Sequence, residues 1–309
     1  MADLGDTEPS VIDLGPDQKP ITEDLICEMV SWTPRRVKLA SDSFWPNVLQ
    51  QPSGDYRNWL LVLPFPETFQ NAFETMCFDV THRVHVAENN RCCIFLNDSH
   101  SDGGKSVNRA KAWIKTVGQH IAIRDRLALS FALDYRMESG DPQKKKTVVG
   151  DLCRRAKLYE GSTSHDREAA KQLAQLCMDS LQKLTCYDSA DCVVAMPSSR
   201  LKKTFDLPSY LAGKIASATG KKNLCDAVRT VKQRKQLKGL PVDEKLDALK
   251  GTVRVDGNAF QGKTVLIVDD LYQSGISLNY VAMLLLEAGA RKVFGLACEK
   301  TSTNDDNIP

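Results

Sequence analysis

The chain has 309 residues, 42% of them apolar, enough for one large domain or two ordinary ones with at least one sizeable core. A formal net charge of +2 does not argue for a nucleic-acid partner by itself, although the basic residues are clustered. No apolar run approaches the ~20 residues of a membrane span. The opening MADLGDTEPS has neither a basic start nor an apolar signal core, so the expectation is a cytoplasmic protein with no membrane partner.

Residues 1–20 combine Asp3, Asp6, Glu8, Asp13 and Asp17 with Gly and Pro, and read as a flexible acidic tail. Residues 21–123 read as an N-terminal α/β region, a hood or recognition module. It has a helix near Thr22 to Trp32, a strand at Trp59 to Leu63 stopped by Pro64, a helix around Phe69 to Val80 and a strand at Cys92 to Leu96. Asn97 to Lys105 is a polar loop, and a mixed helix follows to Gly118. Arg109, Lys111, Trp113 and Lys115 give that helix a basic face, or simply the outer side of an amphipathic helix. Asp102-Gly-Gly-Lys-Ser106 lacks a Walker A glycine, because Ser99 stands where one is needed. His82, His85 and His100 have no spaced cysteine or acidic partners and read as helix-surface or loop histidines. The ten cysteines contain no Cys-x-x-Cys pair, so buried free thiols are expected rather than a disulfide framework or zinc ribbon.

Residues 124–300 alternate strands and helices. Arg124 to Tyr135 opens the region, and a helix spans about His165 to Leu184. Cys192 to Met196 is a buried strand before Pro197, and Leu207 to Ser217 is helical. Val265 to Val268, Ser277 to Ala288 and Lys292 to Cys298 read as strand, helix, strand, with Gly289 as the helix stop. The expected fold class is α/β, a mostly parallel sheet covered by helices. Residues 301–309 are a C-terminal tail.

The chemistry concentrates at VLIVDDLYQSGIS. Four apolar residues end in Asp269 and Asp270, which are costly inside a sheet and so emerge at its C-terminal edge, where ligands bind in such folds. Ser274, Gly275 and Ser277 bracket the start of a helix. Glycine permits close backbone approach, the hydroxyls donate, and exposed amides face an anion such as a phosphate monoester. The plainer alternative is a strand-to-helix turn with Ser277 as N-cap.

This order of residues resembles the signature of the type I phosphoribosyltransferases, with Ser274 in place of the commoner threonine. The resemblance is closest to the ComF-type, competence-associated branch. It is carried by Leu133-Asp-Tyr135, Arg155-Ala-Lys157-Leu-Tyr159-Glu-Gly161, Val193-Val-Ala-Met-Pro197 with Arg200 and Phe205, and Gln236-Leu-Lys-Gly-Leu240 with Lys245 and Lys250-Gly-Thr-Val253. The chain departs from that branch in lacking its opening zinc ribbon.

The resemblance implies transfer of a phosphoribosyl group from phosphoribosyl pyrophosphate to an unidentified, nitrogen acceptor, in a homodimer. Asp269 and Asp270 would bind the ribose hydroxyls, directly or through waters on magnesium (Mg2+). Gln273, Ser274, Gly275, Ile276 and Ser277 would hold the 5′-phosphate, and Ser198, Ser199, Arg200 and Lys202 the pyrophosphate. Arg229 is expected to act catalytically in a mobile basic loop with Lys232, Arg234, Lys235 and Lys238, whose other reading is a solvated loop. Gln273 cannot take a proton, so this loop supplies no base. Two rivals share the expectation: a non-catalytic phosphoribosyl-pyrophosphate sensor, and a nucleic-acid-processing accessory factor.

Overall fold

The computed structural model describes residues 17–39, 44–46, 57–98, 104–157, 166–199, 201, 205–233, 237 and 239–301. Its organising element is a seven-stranded sheet. Five strands are parallel and run to one edge of the sheet: β7 (Leu129–Tyr135), β13 (Lys292–Lys300), β12 (Thr264–Tyr272), β8 (Cys192–Ala195) and the edge strand β9 (Lys222–Asn223), in that spatial order. On the far side of β7, β6 (Ile121–Ile123) and then β1 (Arg36–Val37) add antiparallel strands.

Val265 to Val268 are fully buried because both faces of the sheet are covered, the setting that gives parallel strands continuous apolar runs. Side-chain alternation divides the strand between two cores. Leu266 and Val268 pack with α5 (Arg167–Lys183) and α6 (Leu207–Thr219), whereas Val265 and Ile267 pack with α1 (Glu23–Val30), α7 (Val242–Leu249) and α8 (Ile276–Glu287). Local signals set the helix starts. Thr22, Asp166 and Asp206 each accept an amide of the first turn of α1, α5 and α6, at 3.3, 3.0 and 3.1 Å.

A second, antiparallel sheet orders β2 (Phe44–Pro46), β3 (Arg57–Leu63), β5 (Cys92–Asp98) and β4 (His82–Val86). α2 (Glu67–Met76) and α3 (Lys105–Val117) accompany it. Trp113 on α3 is buried edge-on against Phe69 and Phe73 of α2, and Arg109 donates to the Met76 carbonyl at 2.7 Å. The remaining elements are α4 (Val148–Ala156) and the antiparallel pair β10 (Val228–Thr230) with β11 (Val253–Val255).

Several expectations need revision. Across the expected boundary at residue 123, β6 pairs with β7, β1 pairs with β6, and α2 packs on β7 and β6, while α3 packs on β5 of the second sheet. The acidic tail is anchored at its described end. Gln18 bonds to the Arg291 and Arg126 carbonyls and accepts from the Val293 amide, supplying partners that β13 lacks at its start. His82 and His85 lie on the strand β4 rather than on a helix or loop, since their alternation with Arg83 and Val84 suits an edge strand. All ten cysteines are free, and Cys27 is exposed. No helix among the described residues is long and apolar enough to cross a membrane.

β7 is tied to its surroundings by two buried hydroxyls. Thr68 of α2 donates to the Ile123 carbonyl at 2.5 Å and accepts the Ser130 amide at 3.0 Å. Tyr187 donates to the Gly295 carbonyl at 2.6 Å and accepts the Phe131 amide at 3.2 Å. Tyr187→Phe keeps the ring contacts with Phe131 and Phe294 but orphans both backbone groups. It should cost about 1–3 kcal/mol in denaturant unfolding.

Candidate functional site

β8 pairs with β12 only from Val265 to Val268, whereas β13 stays paired through Tyr272. The sequence expectation that β12 stops at Val268 is therefore corrected. The strand runs on through the two acids, because the β13 ladder continues to satisfy its backbone while the β8 side opens. A cleft of about 390 Å³ occupies that opening. It is lined by Asp269 to Gly275, Ser277 and Leu278 on one side and by Met196 to Ser199 on the other, with Asp206, Pro208, Leu237 and Lys245 around it.

The two carboxylates differ. Burial, with the neighbouring Asp270 charge, pushes Asp269 up to about 7, against the opposing pull of Lys157. Its Oδ1 accepts the Asp270 amide at 2.8 Å. Asp270 instead faces the Lys157 ammonium at 3.2 Å, and Lys157 also reaches Glu299 at 3.5 Å. Burial disfavours the Lys157 charge, but Asp270 and Glu299 together outweigh it and hold the ammonium above its usual range. Lys157 belongs to a stretch that carries the family resemblance, and its position directly after α4 puts it beside the acids.

The turn from Gln273 to Ser277 is shaped by buried polar groups. Gly275 has φ of +81°, and a Cβ there would overlap the Tyr272 hydroxyl. That hydroxyl donates to Asp125 Oδ2 at 3.0 Å, and Asn279 Nδ2 donates to the Gly275 carbonyl at 2.8 Å. Burial raises Asp125 to about 6, against the lowering effect of the nearby Ser130 hydroxyl and of hydrogen bonds from Tyr272 and Leu127. Gly275, not Ser277, is the N-cap of α8, and no side chain caps that helix strongly; Ser274 Oγ lies 3.5 Å from the Ile276 amide. First-turn amides are thus left for a ligand, an arrangement suited to an anion.

The structure gathers Asp269, Asp270, Gln273, Ser274, Gly275, Ser277, Ser198 and Ser199 around one cleft, and Ile276 is buried beneath it, so that only its backbone is placed to contribute. Ser198 is fixed from the other direction, its carbonyl accepting the Thr230 hydroxyl. Arg229 and Lys232 do not line the cleft. On β10, Arg229 alternates with Val228 and Thr230, which turn inward, so it is exposed opposite Arg254 and lines a separate hollow of about 200 Å³. Arg200, Lys202, Arg234, Lys235 and Lys238 lie outside the described residues. Among the described residues no group of three or more His, Cys, Asp or Glu is placed to hold a metal.

Two outcomes follow from this geometry. Gly275→Ala should abolish binding of phosphate monoesters and destabilise the chain by about 1–3 kcal/mol through backbone strain, whereas Gln273→Ala should leave binding within about twofold; calorimetry on both variants separates them. Because Asp269 is held above the usual carboxylate value of about 4, the folded chain binds more protons between there and about 7, and stability falls as pH rises through that window. Asp269→Asn removes this penalty, so its melting temperature at pH 8 should rise by about 3 °C, the scale of 1 kcal/mol in a chain of this size.

Residues 210–299 match the family model described as "Phosphoribosyl transferase domain". No curated protein gives a significant match. Among solved structures, adenine phosphoribosyltransferase from Thermoanaerobacter pseudethanolicus is 16% identical with a TM-score of 0.29, over 44% of this chain and 82% of that one. The Saccharomyces cerevisiae adenine phosphoribosyltransferase is 15% identical with a TM-score of 0.33, over 52% of this chain and 92% of that one. A phosphoribosylpyrophosphate synthetase from Mycobacterium smegmatis is 15% identical with a TM-score of 0.28, over 77% of this chain and 79% of that one. The matched segment runs from within α6 to the penultimate residue of β13 and contains both acids and the whole anion-facing turn, whereas Met196 to Ser199, Asp206 and Pro208, which complete the cleft, precede it.

Proposed function

We propose that the protein transfers the 5-phosphoribosyl group of phosphoribosyl pyrophosphate to a nitrogen acceptor and releases pyrophosphate, in keeping with its resemblance to the ComF-type branch. One observation carries this reading. A pair of carboxylates, suited to sugar hydroxyls, stands between two anion-facing backbone segments, the uncapped start of α8 and the Ser198–Ser199 turn. That order matches a ribose carrying phosphate at both ends.

In the transfer, the acceptor nitrogen forms a bond to the anomeric carbon as the bond from that carbon to the pyrophosphate oxygen breaks. Pyrophosphate leaves with the electron pair, and the acceptor loses a proton. Backbone amides at Ser198 and Ser199 would meet charge as it develops on the leaving group. The remote grip on the 5′-phosphate would position the reacting carbon. Gln273 is no base, so the acceptor proton leaves by another group.

Two adjacent carboxylates in an open cleft fit magnesium, which keeps waters and takes one or two carboxylates plus substrate phosphates. Asp269 and Asp270 would hold it, and it would neutralise charge on the pyrophosphate. Asp269 must be ionised for this, so metal-dependent affinity should strengthen as pH rises to about 7 and level off above.

A sensor of the same ligand is the second reading, favoured by the exposure of Arg229 on the outer side of β10. Both readings share the site. Asp269→Asn with Asp270→Asn should weaken magnesium-dependent binding of phosphoribosyl pyrophosphate by on the order of 100-fold, the loss of about 3 kcal/mol of charge-assisted contacts. Undiminished affinity in the folded double variant overturns the site. Release of pyrophosphate by the wild type across a panel of nitrogen acceptors separates transferase from sensor.

A further inference from the structure

Two buried basic side chains lie behind the turn from Gln273 to Ser277. Lys300, the last residue of β13, is 1% exposed, and its Nζ donates to the carbonyls of Gln273 and Thr301, both at 3.0 Å. Arg35, just before β1, is 4% exposed and donates from Nη2 to the Ser274 carbonyl at 2.8 Å. Its Nε and Nη1 have no hydrogen-bond partner. Two consecutive carbonyls of the turn are therefore held by two basic side chains.

A trans peptide is planar, with its C=O and the following N–H pointing opposite ways. A donor that holds the Gln273 carbonyl on the buried side turns the Ser274 amide away from it. Arg35 does the same for the Gly275 amide. Ser274 and Gly275 line the cleft, so both amides are directed to where an anion would sit. The Arg35 charge, and that of Lys300 once protonated, also act through the turn, in an interior where charges are poorly screened.

The surroundings of Lys300 are short of negative charge. Arg35 and Arg36 face it from β1, Tyr135 and Arg136 adjoin it at the end of β7, and the Tyr272 ring lies 5.4 Å away on β12. Glu299, its neighbour on β13, is tied to Lys157, and Asp134 on β7 to Lys38. Asp125, the acid whose charge Arg35 feels, accepts the Tyr272 hydroxyl and the Leu127 amide. Burial, followed by Arg36 and Arg35, pushes Lys300 down to about 6. The neutral amine still has two N–H groups for its two carbonyls.

We propose that Arg35 and Lys300 are positioning residues for a phosphate monoester on the turn, and that occupancy by the dianion is coupled to uptake of one proton from solvent by Lys300. This rests on the phosphate-site reading above. The sign follows from linkage: an anion across the turn raises the proton affinity of Lys300, so binding takes up a proton between the free and bound values. Affinity falls as pH rises above about 6 until the bound value is passed. Asp269 has the opposite dependence, since metal binding there favours its ionised form.

The test is calorimetry of ribose 5-phosphate binding to the full chain, with chelator and no divalent metal. It is run from pH 7 to 8.5, where the ligand is dianionic, in buffers of differing ionisation heat. The expected result is uptake approaching one proton and affinity falling by up to about tenfold per pH unit. Lys300→Met should bind about tenfold more weakly at pH 7 and lose the pH dependence. Arg35→Met should weaken binding at every pH, and Arg35→Lys should restore part of it. Binding without proton uptake by the wild type overturns the coupling, a result that needs no variant to fold. Wild-type affinity in folded Lys300→Met and Arg35→Met overturns the positioning roles. If the wild type binds none of ribose 5-phosphate, phosphoribosyl pyrophosphate and inorganic phosphate, the phosphate-site reading itself is overturned.

Discussion

The unequal pairing of β12 is the constraint on which the site depends. On one side its ladder with β13 persists through Tyr272, while on the other β8 stops at Ala195, level with Val268. Had β12 ended with β8, Asp269 to Tyr272 would be loop, and their carboxylates would turn to solvent. Had β8 continued, the acids would be walled in on both sides. The half-paired strand satisfies the backbone of one edge and leaves the other for a ligand, which is how a rigid sheet can present polar groups at a fixed spacing.

That arrangement concentrates uncomfortable charge. Asp269 is partly desolvated beside Asp270, Lys300 is buried among arginines, and Arg35 has two donors without acceptors. Each opposes folding, since a buried polar group is favourable only when its hydrogen bonds are complete. The central sheet and its two apolar cores tolerate the burden because both faces of β12 and β13 are covered. Strain of this kind, confined to one end of one sheet, is where a binding function is expected to be stored.

The regular parts of this design were legible in the chain. Continuous apolar runs marked β8, β12 and β13, amphipathic spacing marked α5 and α6, and the acid pair with its glycine marked the cleft. The strand length past Val268 was not legible, because Asp269 and Asp270 read as a stop unless the ladder to β13 is known. Arg229 lay in a basic run whose sequence position suggested the cleft, but alternation on a short strand turned it outward. Lys157 stood in a stretch that carries the family resemblance but without a role, and Arg35 and Lys300 were not legible because a cation at an element's end looks like surface until tertiary contacts reveal what it faces. A lysine directly after the apolar run of β13 was the one local hint.

The same contacts explain why the N-terminal residues are not an appendage. Arg35 reaches the Ser274 carbonyl across 239 positions of sequence, and Trp32, three residues earlier, lies against the guanidinium groups of both Arg124 and Arg126. Arg126 also bonds to α1 through the Leu25 carbonyl and Glu28, while its amide reaches Asn279 beneath the turn. A segment holding only residues 124–300 would keep the acids and the glycine but lose Arg35 and the α1 face that covers α8. Such long-range closure is entropically costly and slow to form. Arg35 meets the turn only where β1 is docked, which makes β1 and α1 part of the site's architecture although they contribute no side chain to the cleft.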